Sequence, residues 1–239
     1  MTTRTFAKAG AIEAVVLDLD GTLVDSARDL AMAVNLVLAG LGMAPLTLQR
    51  AQELLGKGAD HLMRSALRQS HLEATGAALA QDQAERLFAH ARPAFQEHYT
   101  QVNGAYASVY PGVFEALDVL RSRAWPLACL TNKPSAFVLP LLRAMGLAEY
   151  FAQVFGGDAF PRLKPHPMPL EKTCQALGKA PAQVLMVGDS GNDAQAARAA
   201  GCPVVLVTYG YNHGRSVTHE DADGYLDSLA QLPAWLGLS

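Results

Sequence analysis

Two hydrophobic rhythms divide the chain. Residues 13–19, EAVVLDL, form a short apolar, β-branched run that ends in acidic residues. Such a run predicts a buried parallel strand that delivers carboxylates to its C-terminal end. Gly21 and Thr22 then turn the chain. From 26 to 100 no β-rich run occurs; Ala, Leu, Gln, Glu, Arg and His dominate, and helical patterns cover 27–39, 47–55, 59–69 and 77–99. Gly40, Gly42 and Pro45 punctuate the first break in this stretch, and Gly56 and Gly58 the second.

From residue 111 onward helix and strand alternate. The pattern predicts helices at 112–123, 134–145, 168–177, 192–200 and near 226–236, and strands at 126–131, 152–156, 183–188 and 203–207. Pro134 opens one of these helices and Gly146 stops it. Strand–helix repeats at this pitch mean a parallel sheet with helices on both faces. The expected fold is therefore α/β, a doubly wound, Rossmann-like core at 1–24 and 106–239 with an inserted α-helical cap at 25–105.

Composition narrows the class. The chain has 239 residues, half of them hydrophobic, which is enough to bury a sizeable core. Charged residues make up 17 %, without long runs, and the formal net charge is −3. No basic footprint for nucleic acid is present, and no apolar run approaches the ~18 residues of a membrane-spanning helix. Cys129, Cys174 and Cys202 are odd in number, far apart and set in apolar stretches, so they read as buried, reduced thiols. The first ten residues, MTTRTFAKAG, are too polar for a signal-peptide core. These features point to a cytoplasmic protein, monomer or homodimer, with no nucleic-acid or membrane partner.

In open parallel sheets ligands bind at the C-terminal ends of the strands. The first strand delivers Asp18 and Asp20 there, the second Thr131 and Asn132, and the fourth Asp189, with Asp193 one helical turn on. Lys164 falls between, in RLKPHP. This set matches the needs of phosphoryl transfer. A carboxylate can attack phosphorus and split one hard displacement into two easier ones. The repulsion between carboxylate and phosphate calls for Mg²⁺, which Asp18 and Asp189 could hold, and for a lysine. A hydroxyl and an amide can donate to the phosphoryl oxygens. Asp20, two residues after Asp18, can serve as general acid and then as base.

DLDGTLVDS at 18–26 resembles the first signature of the haloacid dehalogenase superfamily. Thr131-Asn132 resembles its second motif, Lys164-Pro165 the third and GDSGND at 188–193 the fourth, in matching order and spacing over roughly residues 12–210. Within that superfamily the chain is most similar to phosphoglycolate phosphatases, through TNKP (131–134), KPHPMPL (164–170), AARAAGCP (196–203), TYGYNHG (208–214) and GKGAD (56–60). The resemblance implies Asp18 as nucleophile, Asp20 as acid/base, and Mg²⁺ held by Asp18, Asp189 and the backbone carbonyl of Asp20. It further implies Thr131 and Lys164 as phosphate binders, assisted by Asn132. Asp193 would orient the metal's water or Lys164. A carboxylate at position 20 favours phosphatase or phosphomutase chemistry over dehalogenation.

The expected activity is magnesium-dependent hydrolysis of a small phosphomonoester, 2-phosphoglycolate first. Another sugar or amino-sugar phosphate, a phosphosugar mutase reaction and a non-catalytic phosphate-binding regulatory module are the alternatives. Some residues carry two readings. Thr131 and Asn132 also suit the cap of the helix near Pro134, and Asp193 suits a helix N-terminus. Lys57 is either a solvated lysine in a turn or a cation that descends over the site to meet the substrate carboxylate. The seven histidines show no ligand spacing, and Tyr209, Tyr211 and His213 read as packing or surface residues.

Overall fold

The computed structural model describes residues 12–238. The reading of the first ten residues as lacking a signal peptide concerns positions outside that range. Six parallel strands build one sheet: β1 (Ala14–Leu17), β4 (Leu127–Leu130), β5 (Gln153–Phe155), β6 (Val184–Gly188), β7 (Val204–Val207) and β8 (Gly224–Leu226). Their order is β5-β4-β1-β6-β7-β8. The order reverses direction at β1, so the crevice beyond the carboxyl ends of β1, β4 and β6 is the expected ligand position.

The period-two alternation of the strands decides which helix each face meets. Val15 and Leu17 pack with α5 (Val113–Ser122), α6 (Ser135–Ala144) and α9 (Leu232–Trp235). Ala14 and Val16 pack on the opposite face with α7 (Met168–Ala176) and α8 (Gly191–Ala200). Both faces of β1 are fully buried, which explains why AVVL carries no polar residue.

Between β1 and β4 the chain makes an excursion. It runs through β2 (Val24–Asp25), α1 (Ala27–Gly40), α2 (Leu48–Glu53), α3 (Ala59–Thr75), α4 (Gln81–Val102) and β3 (Ser108–Val109). Val34 and Leu38 of α1, Leu62, Met63 and Leu67 of α3, and Phe88, Phe95 and Tyr99 of α4 form a separate apolar cluster. Truncating a buried member such as Leu67 to Ala costs about 2–5 kcal/mol, because the cavity does not collapse fully. The Tyr99 ring also meets Phe137 of α6 at 4.7 Å, so the helices lean on the sheet domain beside the crevice. No helix of the described residues is long and apolar enough to cross a membrane.

Three features depart from the sequence reading. The antiparallel pair β2–β3, with Val24 opposite Val109, closes the base of the excursion. The segment near 226–236 is not one helix: β8 ends at Leu226, a tight turn follows, and α9 begins at Leu232 with Pro233 in its first turn. The helix expected at 59–69 runs on to Thr75, and that expected at 77–99 begins only at Gln81 and runs on to Val102, with Gly76 and Asn103 stopping them.

Candidate active site

The carboxyl end of β1 presents two aspartates. Asp18 is buried; its Oδ1 accepts from the Leu19 amide at 2.7 Å and lies 3.0 Å from Lys164 Nζ. Asp20 follows on a turn closed by Gly21 N donating to Val24 O. Gly21 takes a φ of +87°, and a Cβ there would lie 2.2 Å from Asp189 Oδ2. Only glycine permits both the turn and the approach of the two strand ends.

Lys164 is held from every side. Its ammonium donates to Leu130 O and to Asp193 Oδ1, each at 2.7 Å, and faces Asp18. Burial disfavours this ammonium, yet Asp18 and Asp193 outweigh burial and hold its pKa above the ordinary lysine value. Asn132 clamps the Lys164 backbone: its Oδ1 accepts from Lys164 N (3.0 Å) and its Nδ2 donates to Lys164 O (2.9 Å). The side chain of Asn132 thus positions Lys164. The other Asp193 oxygen accepts from the Ser190 hydroxyl at 2.9 Å and from the Asp189 and Ser190 amides. Both Asp193 oxygens are therefore engaged within the protein, as an orienting group for Lys164 requires.

Asp189, at the end of β6, lies beside them. Its Oδ2 accepts from the Tyr211 amide at 2.7 Å. The carboxylates of Asp18, Asp189 and Asp193 bring one oxygen each within 4.8 Å of one another, all buried. Burial, and then repulsion from Asp193, push Asp18 up to about 6 despite Lys164. Burial, with Asp193 and Asp18, drives Asp189 well above the usual carboxylate range. Three acids against one lysine form an electrostatically incomplete site, and its hard oxygen donors fit a divalent cation of the Mg²⁺ type.

Asp20 has its own partners. Lys133 Nζ lies 3.0 and 3.2 Å from its two oxygens, and the Ser26 hydroxyl donates to Oδ1 at 2.5 Å. Lys133 is buried and also donates to the Tyr99 hydroxyl of α4. Burial works against its charge, but Asp20 and Tyr99 prevail, so its pKa is raised as well. A cavity of about 40 Å³ opens at Asp18, Asp20 and Thr131, with Lys133, Tyr99, Gly56, Gly58, Ala59 and Leu62 around it.

The predicted residues divide accordingly. Asp18, Asp20, Thr131, Asn132, Lys164, Asp189 and Asp193 gather in one place at the ends of β1, β4 and β6. Lys57 does not line the cavity at Asp18 and Asp20; it is exposed and borders two neighbouring hollows, one with Arg92 and Asp158, the other with Lys164 and Asn192. Sequence reasoning missed Lys133, Ser26 and Tyr99. TNKP contained the only local signal, a lysine beside the phosphate-motif residues. Tyr211, read as packing or surface, does more. Its hydroxyl donates to Asp25 Oδ1 (2.7 Å) and accepts from the Ser26 and Ala27 amides (3.0 and 3.1 Å), and so caps α1, whose Ser26 makes no side-chain cap. Cys129, Cys174 and Cys202 are buried and free, as expected, with Cys174 and Cys202 sulfurs 3.7 Å apart.

Comparison with known proteins agrees with this geometry. The haloacid dehalogenase-like hydrolase family model matches residues 12–201. A phosphoglycolate phosphatase of Thiobacillus denitrificans is 43 % identical over 220 residues, covering 92 % of this chain and 93 % of the relative. That of Nitrosospira multiformis is 45 % identical over 218 residues, covering 91 % and 92 %. The crystal structure of a predicted phosphoglycolate phosphatase from Haemophilus somnus superposes with a TM-score of 0.86 at 33 % identity, covering 94 % of this chain and 97 % of that one. The strand-end aspartates, the buried lysine and these matches together place the chain in the haloacid dehalogenase-like hydrolase family.

Proposed function

We propose that the protein hydrolyses 2-phosphoglycolate to glycolate and phosphate through an aspartyl phosphate on Asp18. The observation that carries this reading is the pairing of Asp18 with Lys164 and of Asp20 with Lys133 at the end of one strand. Two adjacent carboxylates receive different partners, and different partners suit different roles. Asp18 attacks phosphorus, and the bond from phosphorus to the ester oxygen breaks. Asp20 gives its proton to the departing oxygen, releasing glycolate. Asp20 then takes a proton from a water that attacks the aspartyl phosphate, which frees phosphate and restores Asp18.

Thr131 offers a hydroxyl to the phosphoryl oxygens, and Lys164 balances their charge from its fixed seat. Asp18, Asp189 and the backbone carbonyl of Asp20 would hold Mg²⁺, which supplies neutralisation of the charge that gathers on the phosphoryl group. Residues 25–105 act as a cap over this site, and closure excludes bulk water. The small cavity supports a short substrate, since about 10–15 Å³ already accommodates one water by the same kind of measure. The names of the relatives support the choice of phosphoglycolate.

Phosphate release from 2-phosphoglycolate, hexose phosphates and amino-sugar phosphates, each with Mg²⁺ and with EDTA, tests the reading. Preference for phosphoglycolate that EDTA removes is the expected result. Preference for a hexose phosphate would overturn the substrate, and Mg²⁺-independent turnover would overturn the metal.

A further inference from the structure

Lys133 is a buried cation in the site, and the hydrolytic steps above give it no proton to move and no phosphoryl oxygen to hold. Its side chain is 2 % exposed, yet it borders the cavity beyond Asp20. Among the described residues it is the one cation that does so. The other walls include Leu30, Leu55 and Leu62, with Gly58 and Ala59 at the start of α3. Lys57 lies outside this wall.

We propose that Lys133, with the Tyr99 hydroxyl beside it, binds the carboxylate of the substrate and sets the preference for a short acidic phosphate ester. This inference rests on the phosphoglycolate reading and names the group that carries out the recognition. Asp20 must reach the ester oxygen to protonate it. In phosphoglycolate a single methylene separates that oxygen from the carboxylate. Whatever sits directly beyond Asp20 therefore meets the carboxylate, and Lys133 lies 3.0 Å from Asp20. A carboxylate entering among leucine side chains without a cation would lose its hydration uncompensated. Once Asp20 has given up its proton, the ammonium beside it also offsets repulsion between Asp20 and that carboxylate. The first turn of α3, open to the same cavity at Gly58 and Ala59, adds its partial positive charge. Tyr99 fixes the ammonium from the α4 side, so the recognising group is complete when the helical excursion sits against the sheet domain.

The test compares 2-phosphoglycolate with ethyl phosphate, which keeps the ester and lacks the carboxylate. Steady-state kcat and KM are measured with Mg²⁺ on the full chain for wild type, Lys133→Met, Lys133→Arg, Tyr99→Phe and Lys57→Ala. Lys133→Met lowers kcat/KM for phosphoglycolate by about tenfold or more beyond its effect on ethyl phosphate, mainly through KM. Lys133→Arg, which keeps the charge, retains most of the preference. Tyr99→Phe loses part of it, and Lys57→Ala leaves it within about threefold of wild type. Equal losses on both esters in the Lys133 variants would reduce Lys133 to a positioning residue for Asp20 and overturn the inference alone. Collapse of the preference in Lys57→Ala, with Lys133→Arg also unable to retain it, would transfer the role to Lys57. A wild-type enzyme that does not prefer phosphoglycolate to ethyl phosphate would remove the substrate reading and this inference with it.

Discussion

Asn192, in the first turn of α8, donates its side-chain amide to the backbone carbonyl of Gly56 at 3.1 Å, across 136 positions of sequence. Asn132 donates to the same carbonyl at 3.3 Å. Two amides from the sheet domain thus grip one peptide of the loop between α2 and α3. The grip holds Gly58 and Ala59 over the site and orders the wall opposite Asp18.

Removing one of these donors loosens that wall without touching the reacting groups. A single hydrogen bond contributes about 0.5–1.5 kcal/mol, roughly two- to twelvefold in an equilibrium. Asn192→Ala is expected to lower kcat/KM for the acidic ester within that range and to lower the melting temperature by no more than a few degrees. Wild-type kinetics in the variant would show that the contact does no more than fill space.

Asp18→Asn should keep the fold and lose turnover by at least about a thousandfold, because an amide is a poor nucleophile. It should also raise the melting temperature in EDTA near neutral pH, since it removes a buried charge whose pKa burial and Asp193 have pushed up to about 6. Phosphate release and calorimetry on one preparation check both. Substantial residual hydrolysis would remove Asp18 from the nucleophile role.

The same carboxylates predict a pH dependence. Asp18 has an ordinary value of 3.8 and is pushed to about 6 by burial first, with Asp193 adding and Lys164 opposing. Between those values the folded protein binds more protons than the unfolded chain, so stability falls as pH rises through that window. Asp189 shifts in the same direction. A divalent cation binds the deprotonated acids, so Mg²⁺ should raise the melting temperature more at pH 7.5 than at pH 5. An equal rise at both values, or none, would count against the acid cluster as the metal site.

Tyr211→Phe removes the hydroxyl that caps α1 and joins Asp25, but keeps the amide that holds Asp189. The buried Ser26 amide then loses that acceptor at a cost of about 1–3 kcal/mol, while the Ala27 amide keeps Asp25 Oδ1 at 3.2 Å. Urea unfolding should show a loss in that range while the Mg²⁺ dependence of activity persists. A change below about 0.5 kcal/mol would mean that water takes over the cap.

The sequence disclosed the strand-end chemistry because each motif is a short local word. Asp18-x-Asp20, Thr131-Asn132 and Asp189 sit where a buried strand ends, so apolar periodicity located them, whereas Lys164-Pro165 lies in a loop and was picked out by its likeness to a family motif. Lys133 escaped because its meaning lies in contacts with Asp20 and Tyr99, both distant in sequence. A lysine before a proline otherwise looks solvated. Two-residue strands such as β2 and β3 are too short to show any period, and β8 carries only GYL. Tyr211 looked like packing because helix capping from a remote hydroxyl leaves no trace near the helix itself.

The antiparallel pair of β2 and β3 has a wider consequence. Val24 and Val109 are direct partners, and Asp29 fastens the returning chain by accepting from the Gly104 and Tyr106 amides at 2.7 and 2.8 Å. The chain departs and comes back through one doorway, so the length and content of what lies beyond it place no demand on strand order or register in the large sheet. A different helical cassette could be grafted at that doorway while Asp18, Lys164 and Asp189 stay in place. The reacting groups at the strand ends and the helices that face them thus come from separate stretches of chain joined at one point, while Lys133 and Tyr99 tie the two together.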